Sequence, residues 1–123
     1  MIIENRIYHW YSEYQSEKQR NHTWGEVRPF FVLNVQPKYV YYLPIVGLEH
    51  LKYKKQSIQS MALKIFDYHR AGLSKASYID VGHGILRIPT QDLEEIVEEE
   101  HNVGLGKLDE HQLDQLYDLI AKL

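Results

Sequence analysis

Cysteine is missing from this 123-residue chain, and its absence excludes disulfides, thiolate nucleophiles and cysteine-based zinc sites. Long apolar runs are missing too: nothing approaches the roughly 20 apolar residues that span a bilayer. The start, Met1-Ile2-Ile3-Glu4-Asn5-Arg6, lacks the basic, then apolar, then small-residue pattern of a secretory signal. The expectation is a soluble, cytoplasmic protein with no membrane association. There is no glycine-rich phosphate loop, no Gly-x-Ser-x-Gly elbow and no His-Glu-x-x-His helix, and the seven histidines stand at no metal-ligand spacing. Neither a metal nor another cofactor is expected.

What is present is enough apolar sequence, 44%, for one core and one domain spanning residues 1–123. Its centre is residues 27–46. Two apolar runs rich in β-branched and aromatic residues, 30–35 and 39–46, flank the corner Gln36-Pro37-Lys38, a pattern that predicts adjacent antiparallel strands. Both runs are too continuously apolar for a sheet with one wet face, so they read as central strands covered on two sides. Arg28-Pro29 marks where the chain joins them from a long polar loop over residues 12–26, and loops of that length in a compact domain are often functional.

Other elements follow the same logic. Tyr8, Trp10 and Tyr11 suggest a first strand over residues 6–14 with an aromatic face. Residues 47–56 read as a surface loop in which Lys52, Lys54 and Lys55 surround Tyr53; basic residues interleaved with an aromatic suit RNA, and equally suit a solubilising loop. Residues 58–70 fit either a helix or a short strand, with the strand, at about 61–67, preferred because the sheet needs partners. Strands are predicted at 77–81 and 85–88, with a turn at Gly82-His83-Gly84 that could aim His83 outward. Thr90 can cap a short helix with Leu93, Ile96 and Val97 on one face. In the last helix Asp109 and Gln112 have capping-box spacing, and Leu113, Leu116, Tyr117, Ile120 and Leu123 recur along one side. The predicted class is therefore α+β, mostly antiparallel β, ending in an amphipathic helix.

Charge is segregated. Residues 1–91 carry 12 Lys/Arg against 7 Asp/Glu, whereas residues 92–123 carry 2 against 10. A basic body with an acidic tail is compatible with nucleic-acid binding on one face, and also with a solvated acidic helix on an ordinary domain. Arg28 beside a loop carrying His22, with Asp80, His83 and Arg87 near strand ends, is a set that could cleave RNA without a metal. A base would take the 2′-hydroxyl proton, an arginine would stabilise the phosphorane, and an acid would protonate the leaving 5′-oxygen. Only RNA carries that internal nucleophile. The same residues taken singly are ordinary structural groups.

In order along the chain, Tyr8-His9-Trp10-Tyr11, then Gly25-Glu26-Val27-Arg28-Pro29-Phe30-Phe31-Val32-Leu33, then Leu43-Pro44-Ile45 resemble the PemK/MazF toxins of bacterial toxin–antitoxin systems, whose signature is Gly-x-x-Arg-Pro-x-x-Val-Leu. The likeness continues through Ala71-Gly72-Leu73-Ser74-Lys75-Ala76-Ser77-Tyr78-Ile79, Leu86-Arg87-Ile88, Gly106-Lys107-Leu108 and the terminal helix. The resemblance implies an SH3-like small barrel, a homodimer, metal-independent cleavage of single-stranded RNA to a 2′,3′-cyclic phosphate, and restraint by a cognate antitoxin. It puts Arg28 at the family's catalytic arginine, His22 in the corresponding first loop and Asp80 near an acidic position used by some relatives. Lys52, Lys54, Lys55, His83 and Arg87 are the expected RNA-binding groups. One departure stands out: where the family usually has a catalytic threonine or serine, this chain reads Val46-Gly47, and valine offers no hydroxyl to a phosphate. Alternatives are an impaired barrel that only binds RNA or a protein partner, and a type III RNase toxin restrained by an RNA antitoxin.

Overall fold

The computed structural model describes residues 1–12, 26–99 and 106–123. The six strands are β1 (Arg6–Ser12), β2 (Glu26–Val35), β3 (Tyr39–Gly47), β4 (Ala62–Ile65), β5 (Ser77–Asp80) and β6 (Leu86–Pro89). A 3-10 turn spans Leu48–Tyr53, and the helices are α1 (Gln56–Gln59), α2 (Thr90–Glu99) and α3 (Glu110–Ile120). All strand pairs are antiparallel, in the order β1-β2-β3-β5-β4, with β6 also on β3.

The strand at the centre of the chain is also the hinge of the sheet. β3 pairs β2 along one edge; its other edge takes β6 at residues 39–42 and β5 at residues 45–47. No pairing joins β1 to β4 among the described residues, so the sheet is open where a closed SH3-like barrel was expected. The α+β class, antiparallel pairing and C-terminal helix agree with the sequence reading.

The continuous apolar runs of β2 and β3 have the predicted cause. Alternate side chains leave opposite faces of a strand, and both faces are covered here. Ile7, Phe31, Leu43, Ile45 and Ile79 enter one core, which α3 closes with fully buried Leu116. Tyr8, Trp10, Phe30, Val32 and Val40 enter a second, closed by Leu93 and Val97 of α2. There the Trp10 and Phe30 rings stack with centroids 4.0 Å apart, and Tyr42 packs edge-on to both. A register shift between Val32 and Asn34 lets β2 bend without moving either apolar set to the wrong face.

Three local expectations change. Residues 47–56, read as a surface loop, hold the 3-10 turn Leu48–Tyr53 and the start of the short helix Gln56–Gln59. Thr90 begins α2, but its hydroxyl donates to the Gln36 carbonyl at 2.6 Å and its amide to Lys38 at 3.0 Å. It fastens the helix to the β2–β3 corner. Leu123 lies beyond the end of α3 and is exposed. Asp109 does cap that helix, accepting from the Gln112 amide at 2.8 Å. No helix among the described residues is long and apolar enough to cross a membrane.

Candidate functional site

A cleft of about 510 Å³ opens at the end of β3 where its partners diverge. The strand order puts its lining into two walls with β3 between them. From β1 and β2 come His9, Val27, Arg28 and Pro29; from β3, Ile45, Val46 and Gly47; from the 3-10 turn, His50; from the segment before β5 and its first residue, Leu73, Ser74, Lys75 and Ser77.

Strand register places His9 opposite Pro29 and Trp10 opposite Arg28, so His9 and Arg28 start from opposite faces of the sheet, and both line the cleft. Arg28 is 7% exposed while lining the cleft, so its charge acts where water screens it little. His9 is half-buried, and burial pushes its pKa below the ordinary 6.5, which favours the neutral ring near pH 7.

The second wall is built by local turns. Gly72 adopts φ +73°, a left-handed conformation that glycine takes without penalty, in a turn where the Leu73 amide donates to Tyr68 at 2.8 Å. The Leu48 amide donates to the Ala76 carbonyl at 3.0 Å, drawing the 3-10 turn against the start of β5. Glu49 and Lys75 meet as a result, with Nζ to Oε1 at 2.5 Å, and His50 Nε2 is 3.5 Å from the same oxygen. The Lys75 hydrogen bond, followed by the carboxylate's own backbone amide, holds the Glu49 pKa below its usual value. Ser77 is buried and its hydroxyl donates to the Lys75 carbonyl at 3.0 Å, leaving lone pairs to accept.

Of the sequence-predicted residues, Arg28 lies in this cleft and several do not. His22 falls outside the described residues. Asp80 is buried at the other end of β5, three residues from Ser77, or about 10 Å along a strand. It caps the turn that follows: its carboxylate accepts from the His83 amide at 3.3 Å and contacts His83 Nδ1 at 2.5 Å. His83 is thus held at that turn with its ring largely exposed. Arg87 pairs with Tyr41, six residues up β3 from Gly47 and about 20 Å away along the strand, with its guanidinium 4.3 Å from the Tyr39 ring centroid. Lys52, Lys54 and Lys55 are exposed just after His50, Lys52 lying 5.0 Å from the Tyr53 ring centroid. Among the described residues, no three His, Asp or Glu side chains gather as metal ligands.

Sequence reasoning assigned no role in the site to His9, Ser74, Lys75 or Ser77, and treated His50 only as a neighbour of the lysines. His9 carried one usable signal, since it breaks the alternation of Tyr8 and Trp10 and so must leave β1 on the opposite face. Lys75 and His50 carried none, because a turn conformation brings them together. Comparison with family models, curated proteins and solved structures finds no match for the chain.

Proposed function

We propose that the cleft binds a phosphodiester of single-stranded RNA and cleaves it through the 2′-hydroxyl, as in a PemK/MazF-type toxin. The observation that carries this reading is Arg28, nearly buried yet lining an open cleft that is also lined by His9, whose pKa burial lowers. His9 takes the 2′-hydroxyl proton, and the 2′-oxygen attacks phosphorus. Arg28 stabilises the charge that builds on the phosphorane, where a fixed donor in a poorly screened site is most effective. A protonated side chain on the other wall, His50 or Lys75, gives a proton to the leaving 5′-oxygen, and a 2′,3′-cyclic phosphate results.

Val46, which the resemblance matches to the family's hydroxyl residue, lines the cleft, as do Ser77 at the start of β5 and Ser74 just before it. The two serines are the groups that replace the missing threonine or serine. The way β3 is shared between two arms of the sheet supports an open variant of the SH3-like barrel. A homodimer and a cognate antitoxin belong to the same reading. The rival is a binding-only barrel, favoured by Val46. Induced expression separates them: growth arrest with fragmentation of total RNA, both lost in Arg28→Ala, is the expected result. Unchanged growth and intact RNA on wild-type expression favour the rival.

A further inference from the structure

Gly47 is the residue that opens the second wall. Its φ of −58° is available to any residue, so backbone conformation does not demand glycine there. Space does. A Cβ at Gly47 would lie 2.5 to 2.7 Å from the Glu49 carboxyl group, so that carboxyl rests where a side chain would begin. The same carboxylate joins Lys75 and His50, which with Gly47 line the cleft. A small planar anion is therefore seated on a bare backbone between the Lys75 ammonium and the His50 ring. The seat itself is exposed, with about half the surface of both Glu49 and Lys75 side chains reaching solvent, and exposed ion pairs of this kind hold weakly.

We infer that Gly47, His50 and Lys75 form a phosphate subsite, occupied in the free protein by the Glu49 carboxylate, which a phosphate of the bound strand displaces. This rests on the reading of the cleft as a phosphodiester site and adds to it a second phosphate position and an internal competitor. Glu49 lowers affinity for anions in general and makes the cleft selective for ligands that engage Arg28 at the same time.

The test is calorimetric titration of the whole chain with inorganic phosphate, and with a short oligodeoxyribonucleotide that lacks the 2′-hydroxyl. Glu49→Gln should tighten both by about two- to fivefold, the affinity equivalent of an exposed ion pair. Glu94→Gln, which removes one exposed charge on α2, should change neither. Adding Lys75→Met to Glu49→Gln should cancel the gain, and Gly47→Ala should weaken binding. If Glu49→Gln binds no more tightly than Glu94→Gln, or more weakly, the subsite is overturned. A gain for phosphate alone overturns its assignment to a strand. The two readings fail separately: tighter phosphate binding without RNA cleavage by wild type removes the nuclease and keeps the subsite. RNA cleavage with no Glu49→Gln effect removes only the subsite.

Discussion

Two side chains on adjacent strands, Arg28 and His9, carry the chemistry assigned to the cleft, and their environments make different demands on pH. Burial lowers the His9 pKa below 6.5, so the unfolded chain binds that proton at a pH where the folded chain does not. Stability therefore rises with pH through the window between the folded and unfolded values, and the penalty is complete below the folded one. His9→Gln should flatten this part of a melting-temperature profile, in the window that lies below the unfolded value of 6.5. With His9 as base, the acid limb of kcat/KM should have its midpoint below 6.5, and His9→Gln should lower the rate by roughly 10²- to 10⁴-fold. Arg28 was readable from the chain because Arg-Pro stands where a polar segment meets an apolar run. His9 was not, because its place in the cleft depends on which strand β1 pairs with and in what register. Asp80 stands apart from the cleft for a related reason: its carboxylate meets the amide and ring nitrogen of His83 in the turn that follows β5.

Whole elements are held by single contacts that mutation can test. Leu116 is the fully buried residue of α3, and Leu116→Ala should cost about 2–5 kcal/mol in denaturant unfolding. Gly106 bridges Ile7, and its amide neighbourhood is tight: an added Cβ would meet the Ala71 carbonyl oxygen and the Ile7 side chain. Gly106→Ala should cost about 1–3 kcal/mol by the same assay, through displacement of backbone. The α3 periodicity and its Asp109 cap were plain in the sequence because 11 residues give three turns of pattern. The ambiguity at residues 58–70 was real, since Ile58 belongs to α1 and Leu63 and Ile65 to β4, so both periods are present. Four- and six-residue helical turns are too short to show a period at all, which is why the segment bearing His50 and Glu49 read as loop.

Across the molecule, the acidic C-terminal quarter divides between α2 and α3, whose apolar sides close the two cores while Glu94, Glu95, Glu98 and Glu99 stay exposed. The charge split visible in the sequence is thus partly a solvated helix face, and the cationic cleft lies with the strands. Open-sheet closure was not legible, because pairing between distant strand edges leaves no local mark. The homodimer in the proposed reading should appear in sedimentation equilibrium at micromolar concentration; a monomer throughout that range would count against it. The most direct measurement is cleavage of one single-stranded RNA and its all-deoxy counterpart by purified protein in excess chelator, with the product ends identified. The account predicts cut RNA with 2′,3′-cyclic phosphate ends, intact DNA, and a loss of about 10²-fold or more in Arg28→Ala. Intact RNA, equal cutting of both strands, or full activity in Arg28→Ala would contradict it.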